Sequence, residues 1–356
     1  MSSSTTATVP AALSSIGAPV DARMAALLDA EIARWADIDP QLDAPLSALR
    51  DLVLAGGKRL RPAFCHWAFV GAGGDPNDGR VVAAGAALEL LHTFALIHDD
   101  IMDGSSRRRG LDTIHVTFED RHTLAQWRGE GRRFGEGVAI LVGDLAFVYA
   151  DILLAGASPE ALEVFNQLRL EVNIGQYLDL VGTARNEHDP EVTRRISQYK
   201  SGKYTVERPL HLGAALAGRF ADLEPELTAY GMPLGEAFQL RDDLLGAFGD
   251  STVTGKPVGE DLREGKPTPL YAAARIRAEG AAVTLLETRF GSPDLSDDEV
   301  VDIQAVLIDT GARAEIEGAI DRLASEAIDA IGRSSLAPVA VTHLVELAHF
   351  VAGRDH

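Results

Sequence analysis

The sequence has a single cysteine, a deficit of basic residues and no uninterrupted apolar run long enough to span a membrane. Because Cys65 is the only cysteine, the chain cannot form an internal disulfide, which favours a reducing, intracellular setting. A formal net charge of −20 argues against a nucleic-acid surface and against binding to anionic membranes. The longest apolar stretch, residues 81–97, contains Glu89 and His92, which predicts a buried helix and no stable membrane insertion. We therefore expect a cytoplasmic protein.

Strand-like alternation is also nearly absent, whereas apolar residues recur at helical spacing along most of the chain. Residues 1–20 are rich in Ser, Thr, Ala and Pro, lack the features of a signal peptide, and are expected to form a flexible tail. Residues 21–356 show no internal repeat and no linker between two cores. The pattern predicts a single all-α domain, a bundle of about ten or more helices, most of them strongly apolar and central.

The segment LIHDDIMDGSSRRRG, residues 96–110, places three aspartates just before three arginines. On a helix that advances about 100° per residue, His92, Asp99 and Asp103 share one face. Asp99 and Asp103 lie one turn apart and would repel each other unless a cation lies between them. Mg²⁺, which is held by a few carboxylates together with substrate phosphates, suits such a pair.

Two other interpretations of this segment are simpler. A calcium-binding EF-hand loop is excluded, because Ile101 and Gly110 stand where that loop needs oxygen ligands. A charged helix end, whose aspartates merely pair with Arg107 and Arg108, stays open from the residues alone.

A second apolar helix, residues 235–250, carries the next acidic pair, with Gln239 and Asp242 on one face and Asp243 beside them. Basic residues lie next to glycine-containing turns at three other places, and arginine forks and lysine charges are the groups that recognise diphosphate. These residues are Lys58, Arg59 and Arg61; Lys200 and Lys203; and Lys256 and Lys266. Acidic pairs, basic turns and apolar helices together suggest a substrate with a diphosphate head and a long apolar body.

Three motifs in this order, GGKRLRP (56–62), LIHDDIMDGSSRRRG (96–110) and FQLRDDLLGAFGD (238–250), resemble those of the trans-isoprenyl diphosphate synthases, or polyprenyl synthetases. The residues of these motifs are most similar to those of the actinobacterial geranylgeranyl diphosphate synthases. The resemblance implies the isoprenoid synthase fold, with helices around a central apolar cavity, and a homodimer. It also implies Mg²⁺-dependent head-to-tail condensation of isopentenyl diphosphate with dimethylallyl, geranyl or farnesyl diphosphate, with three Mg²⁺ ions when substrate is bound.

The resemblance also assigns roles to individual residues. The implied metal-binding residues are Asp99, Asp103 and Asp242, with their acidic neighbours Asp100 and Asp243. The implied catalytic residues are Asp99, Asp100, Asp103, Arg108, Lys200 and Asp242. The residues implied to hold the allylic diphosphate are Arg108, Lys200, Ser201, Gln239 and Lys256, with Lys266 as a further diphosphate contact. The pocket for isopentenyl diphosphate is implied to comprise Gly57, Lys58, Arg61, His92 and Arg109.

Product length in this family depends on the bulk of the fourth and fifth residues before the first aspartate motif. Here these residues are Ala95 and Phe94, and Leu91 lies about one turn further up the helix. One aromatic residue with a small neighbour resembles the synthases of the C20 product, geranylgeranyl diphosphate. Two aromatic residues would indicate the C15 product, and two small residues a longer one.

The chain departs from the family pattern at two places. The second motif usually reads DDxxD, but Gly246 occupies its fifth position, and Leu111 and Asp112 replace the usual residues after the arginines. The missing carboxylate keeps open a non-catalytic partner subunit, although the full set of basic residues argues against it. Two enzymes also stay open as alternatives: a diterpene cyclase of related fold, and a metal phosphohydrolase that uses His98 and Asp99 as ligands.

Overall fold

The computed structural model describes residues 10–249, 259–292 and 294–354. Lys256, which is predicted to contact the allylic diphosphate, lies outside these residues. The described chain falls into two compact units. The N-terminal unit comprises residues 13–66 and 75–158, and the C-terminal unit comprises residues 10–12, 67–74 and the described residues from 159 onward. The single domain over residues 21–356 stays a prediction.

Helices account for most of the first half of the chain. They are α1 (Ala11–Ser14), α2 (Gly17–Ala36), a 3₁₀ turn (Pro40–Leu42), α3 (Asp43–Leu54), α4 (Leu60–Gly71), α5 (Gly79–Asp103), α6 (Ile114–Leu124) and α7 (Gly131–Leu154). Two short strands, β1 (Arg107–Arg108) and β2 (Leu111–Asp112), form an antiparallel hairpin between α5 and α6.

The second half of the described chain is helical as well. It contains α8 (Pro159–Arg185), α9 (Pro190–Ser197), a π-helix (Gln198–Glu207), α10 (Arg208–Leu216), α11 (Phe220–Phe248), α12 (Glu260–Glu264), α13 (Pro269–Arg277), α14 (Ala281–Arg289), α15 (Asp297–Asp309), α16 (Ala312–Gly332) and α17 (Pro338–Gly353). The predicted all-α class is confirmed, and the hairpin is the only sheet within the described ranges.

Residues 11–20 differ from the expected flexible tail. They contribute α1 and the first turn of α2, and the side chains of Ala12, Leu13, Ile16 and Val20 are buried. The Ser, Thr and Pro content that suggested a tail does not prevent helix formation here, because these apolar residues bury surface that would otherwise face water.

In the N-terminal unit, α5 is the central helix and packs against α2, α3 and α7. Its small residues, including Ala84, Ala86 and Ala87, are fully buried and allow close approach of the neighbouring helices. α5 and α7 are both long and apolar enough to cross a membrane by length and composition, a test that core helices also pass. Two thirds of the most apolar part of α5 is buried within the structure, as predicted for a core helix.

In the C-terminal unit, α11 is the central helix and packs against the π-helix, α10 and α16. Its apolar face, with Leu240, Leu244 and Ala247, joins a buried core that α12 to α16 complete. α11 therefore carries Gln239, Asp242 and Asp243 on a support that is fixed by packing along its length.

The π-helix lies against its two neighbours through close backbone contacts. A Cβ atom added at Gly235 of α11 would lie 2.5 Å from the carbonyl oxygen of Gly202. One added at Gly175 of α8 would lie 2.6 Å from the Cα of Lys200. Both distances are too short for any side chain, so glycine at these positions allows α8 and α11 to hold the segment that carries Lys200 and Ser201. π-helical turns are rare and occur frequently at functional sites.

We expect the substitution Gly175→Ala to lower the free energy of unfolding by about 1–3 kcal/mol, because the new methyl group forces backbone apart. Gly137→Ala is the matched control: it also lies in a helix, but its added Cβ meets nothing within 4 Å. That control should be neutral or more stable by about 0.5–1 kcal/mol. Urea denaturation of both variants measures the difference, and equal stabilities would contradict the role assigned to Gly175.

Candidate active site

The C-terminal end of α5 presents the first aspartate motif. Asp99 and Asp103 lie one turn apart and are half-buried. The helix ends at Asp103 because Gly104 adopts a left-handed conformation with φ of 68°. The backbone N–H groups of Gly104 and Ser105 both donate to the carbonyl of Asp100. Two carboxylates thus lie together at the end of an otherwise apolar helix.

Asp100 pairs more closely with Arg108 than Asp99 does. Its carboxylate accepts two hydrogen bonds from the guanidinium of Arg108, from Nε at 2.8 Å and from a terminal nitrogen at 2.5 Å. The side chain of Asp100 is 3% exposed, and Asp99 lies 3.8 Å from the same guanidinium. The hairpin β1–β2 turns the arginine segment back toward α5, so Asp100 fixes the orientation of Arg108. The assignment of Asp100 to metal stays a prediction.

The Gly-Gly loop before α4 forms a second basic region in the N-terminal unit. Gly57 has φ of 144°, and a Cβ there would lie 3.2 Å from Arg109 and 3.3 Å from Arg59. Arg59 is buried, and its guanidinium pairs with Glu89 at 2.6 Å and with Asp21 at 2.8 Å. Arg59 therefore anchors the loop, while its half-buried neighbours Lys58 and Arg61 follow the same turn.

His92, on α5, lies near these arginines. Burial, together with the positive charges of Arg61, Arg109 and Arg108, holds the pKa of His92 well below its usual value. Burial and neighbouring arginines also lower the pKa of Arg109, against the opposing effect of Glu89. His92 is therefore a neutral side chain at physiological pH, able to donate one hydrogen bond within a positively charged region. The role of His92 in binding isopentenyl diphosphate stays a prediction.

The predicted chain-length residues lie on α5 just before the aspartates. Ala95 is one turn before Asp99 and is half-buried. The ring of Phe94 packs edge-on against Phe147 of α7, with 4.9 Å between ring centroids, and against His98 at 4.6 Å. Leu91 is fully buried. Phe147 was missed by sequence reasoning because it lies on another helix.

In the C-terminal unit, the π-helix places Lys200 and Ser201, which are both half-buried. The ammonium of Lys200 donates to the carboxylate of Asp179 on α8 at 2.5 Å. Lys203 lies between Glu171 and Glu207, at 3.6 Å and 3.2 Å. The lysines of this segment are thus held by acidic residues that the sequence motifs did not indicate.

The second aspartate motif lies near the end of α11. The amide of Gln239 donates to Asp243 at 2.7 Å, so Asp243 is held one turn below it. Burial raises the pKa of Asp243 well above its usual value, with the hydrogen bond from Gln239 opposing that effect. Asp242 is more exposed and pairs at 2.6 Å with Arg354, near the end of the chain. Arg354 also lies over the ring of Phe238, at 4.0 Å from its centroid.

The remaining predicted contact, Lys266, follows α12. Its ammonium lies 2.7 Å from Glu264 and 3.7 Å from Asp261. The carboxylate of Asp261 occupies the space beside Gly246, where a Cβ atom would overlap it. Lys256, the last basic residue implied for the allylic diphosphate, lies outside the described residues.

The aspartates of the two motifs fit Mg²⁺ that is also bound by substrate phosphates. Among the described residues, no group of three His, Cys, Asp or Glu side chains is arranged to hold a metal ion by itself. Mg²⁺ is commonly bound through one or two carboxylates together with water and substrate phosphates, and it needs no complete protein cage. Asp99 with Asp103 in one unit, and Asp242 in the other, meet this requirement.

Comparisons with known proteins agree with the motifs. The polyprenyl synthetase family model matches residues 44–307. A geranylfarnesyl diphosphate synthase of Aeropyrum pernix is 34% identical over 80% of this chain and 86% of its own length. A (2E,6E)-farnesyl diphosphate synthase of Mycobacterium tuberculosis is 31% identical over 84% of this chain and 80% of its own.

A solved structure is similar over nearly the whole chain. It is a geranylgeranyl pyrophosphate synthase from Corynebacterium glutamicum complexed with isoprenyl diphosphate and magnesium, 36% identical, with a TM-score of 0.91. The match covers 96% of this chain and 99% of that one. The chain belongs to the polyprenyl synthetase family, and it is a prenyltransferase with the isoprenoid synthase fold. The metal phosphohydrolase alternative is thereby excluded.

Substitutions at Asp100 and Asp99 test whether the Arg108–Asp100 pair serves the stability of the fold. Asp100→Asn replaces the charged oxygen that accepts two N–H bonds from Arg108 with a neutral amide oxygen, and we expect a loss of about 3 kcal/mol in the free energy of unfolding. The matched change Asp99→Asn, one residue away and more exposed, should alter stability by less than about 1 kcal/mol. Urea denaturation without ligands measures both. Equal losses would show that Asp100 is no more structural than Asp99.

Proposed function

We propose that this protein condenses isopentenyl diphosphate head-to-tail with an allylic diphosphate and releases diphosphate, with geranylgeranyl diphosphate (C20) as its main product. The observation that carries the product length is the pairing of Phe94 with a small neighbour, Ala95, one turn before Asp99 on α5. The named relatives make products of different length, so the family alone leaves this choice to the residues of α5.

The chemistry follows from the charges that each unit presents. Ionisation of the allylic diphosphate gives an allylic carbocation and leaves negative charge on the departing diphosphate. Mg²⁺, three ions in this proposal, supplies positive charge that stabilises the leaving group. Arg108, Lys200 and Lys266 add fixed cationic groups, each already oriented by an acidic neighbour.

The second substrate needs a different kind of pocket. Lys58, Arg61 and Arg109 offer positive charge beside the backbone of Gly57, and neutral His92 offers a hydrogen bond without adding a further charge to the region. The C=C bond of isopentenyl diphosphate attacks C1 of the allylic cation, and the proton lost from the adduct passes to the released diphosphate. Phe94, Leu91 and Phe147 supply apolar walls, which prevent water from quenching the cation.

We also propose that the protein is a cytoplasmic homodimer. Two helices keep apolar side chains exposed: Ile140, Leu141, Val148 and Ile152 on α7, and Leu170, Ile174, Tyr177 and Leu180 on α8. Apolar surface that recurs along one helix is characteristic of a face that packs against another chain. Multi-angle light scattering of the purified protein tests the dimer, and cell fractionation tests the location.

The proposed reaction predicts a specific product distribution. The purified protein, with Mg²⁺, isopentenyl diphosphate and dimethylallyl, geranyl or farnesyl diphosphate in turn, should give mainly the C20 diphosphate by mass spectrometry. Phe94→Ala should lengthen the dominant product, because the bulky floor is removed, and Ala95→Phe should shorten it to C15.

Each other outcome assigns a different function. If neither substitution changes the product length, the proposed floor formed by α5 is wrong, although the condensation reaction itself still stands. Diphosphate release without elongation would favour the diterpene cyclase, and no reaction of the chain alone would favour the non-catalytic partner subunit.

The neutral state of His92 predicts which replacement it tolerates. His92→Gln keeps a neutral hydrogen-bond donor, so KM for isopentenyl diphosphate should change only a few-fold. His92→Ala removes a bond to a charged group and should raise that KM by about 10-fold or more, with kcat nearly unchanged. Steady-state kinetics with isopentenyl diphosphate varied measures both variants. A large loss in the glutamine variant would show that a charged histidine is required.

A further inference from the structure

Lys203 lies on the π-helix three residues after Lys200, yet it has different partners. Its ammonium lies 3.6 Å from the carboxylate of Glu171 on α8 and 3.2 Å from that of Glu207 on the π-helix itself. Arg208, the first residue of α10, donates two hydrogen bonds of 2.7 Å to the same Glu171. The side chains of these two cationic and two acidic residues are at most 14% exposed. Two opposite pairs of charges are therefore buried together at the end of the π-helix.

The contacts continue through His211 of α10 to α11. A terminal nitrogen of Arg208 lies 3.1 Å from Nδ1 of His211, and Nε2 of His211 lies 3.0 Å from the hydroxyl group of Thr228. Because a guanidinium can only donate, Nδ1 accepts from Arg208, and Nε2 carries the proton that it donates to Thr228. Burial and the positive charge of Arg208 lower the pKa of His211 to about 3, so the ring is neutral, as this arrangement requires.

The π-helical geometry sets the direction of the residues before Lys203. The backbone N–H of Arg208 donates to the carbonyl of Lys203, five residues earlier, which is the hydrogen bond that defines a π-helix. Relaxation of this turn to an α-helix would shift the segment by one residue and rotate its side chains by about 100° around the axis. Lys200 and Ser201 would then turn, and the ammonium of Lys200 would leave Asp179, which lies 2.5 Å away.

The buried charges and the histidine form one set, the π-helix network, which consists of Glu171, Lys203, Glu207, Arg208 and His211. We propose that the members of the π-helix network are positioning residues, which hold the register in which Lys200 and Ser201 face the allylic diphosphate. The inference rests on the proposed function. Lys203 is a neighbour of Lys200 in the sequence, but its charge serves the fold of the π-helix and not the substrate.

The substitution Glu171→Gln keeps the shape of the side chain and removes the charge that Arg208 and Lys203 share. KM for farnesyl diphosphate should rise about 10-fold, because a small displacement of Lys200 and Ser201 misplaces the groups that bind its diphosphate. KM for isopentenyl diphosphate should change by less than about two-fold, since the residues implied for that substrate lie on the other unit. Steady-state kinetics with each substrate varied in turn measures both values.

A direct role of Lys203 and Arg208 in binding diphosphate predicts the opposite sign. Glu171→Gln would then release both cations from a competing carboxylate, and KM for farnesyl diphosphate would fall. A lowered or unchanged KM for farnesyl diphosphate therefore overturns the inference. An equal rise of KM for both substrates also overturns it, because positioning through the π-helix affects only the allylic substrate.

Hydrogen exchange without substrate tests the π-helix network separately from the reaction. The backbone amides of residues 198–207 should exchange about 10-fold faster in Glu171→Gln, because the π-helix opens more easily without the network. Glu299→Gln is the matched control: Glu299 of α15 pairs with Arg289 of α14 through two contacts, of 2.6 Å and 2.8 Å. This control should accelerate exchange only in α14 and α15 and should leave both KM values unchanged.

Arg208→Lys is the milder variant if Glu171→Gln does not fold. It keeps the positive charge but loses the two parallel bonds to Glu171, so KM for farnesyl diphosphate should rise about three-fold, with faster exchange in residues 198–207. Exchange that is unchanged in this segment would show that the network does not hold the π-helix. If the unmodified protein elongates no allylic substrate, the proposed function is wrong, whereas the exchange measurement still decides whether the network fixes the π-helix.

Discussion

Close pairing of opposite charges is the interaction on which both units depend. Arg108 is held by Asp100, and Lys200 is held by Asp179, each at 2.5 Å. Long cationic side chains lose about 1.5–2 kcal/mol of rotamer freedom when they are fixed. In this protein folding fixes them. Under the proposed function, the binding energy of a diphosphate substrate would therefore not be spent on ordering them. Such preorganised charge is the largest contribution that a protein can make to a reaction in which charge develops on a leaving group.

The apolar helices make this pairing necessary as well as effective. α5 and α11 are buried along most of their length, so charges at their ends lie in surroundings less polar than water, where an unpaired ion is costly. The protein satisfies this constraint in two ways. It pairs Arg59 with Glu89, where a fixed loop is needed, and it keeps His92 neutral, where a further positive charge would be repelled. The result is a positively charged region whose individual groups are compatible with burial.

The sequence predicted the helices and the motif residues because both depend on local spacing. Apolar periodicity defines the helices, and steps of seven and four residues place His92, Asp99 and Asp103 on one face. The orienting partners could not be predicted in the same way, since Asp179 and Arg354 are far along the chain from the residues that they contact and carry no local signature. The same limit applies to Arg59, which looks like its basic neighbours in the sequence but is buried and pairs with Glu89 and Asp21. Residues 11–20 were assigned to a tail because composition does not show which short apolar segment finds a partner surface.

Gly246 shows why a motif is better understood as an arrangement of groups in space than as a string of letters. The pattern DDxxD describes carboxylates one helical turn apart, which is one way to bring acidic groups together. In this protein a carboxyl group from α12 lies in the volume beside position 246, because a Cβ atom there would overlap the side chain of Asp261. Glycine at this position is therefore explained by packing between α11 and α12, which no local pattern in the sequence shows.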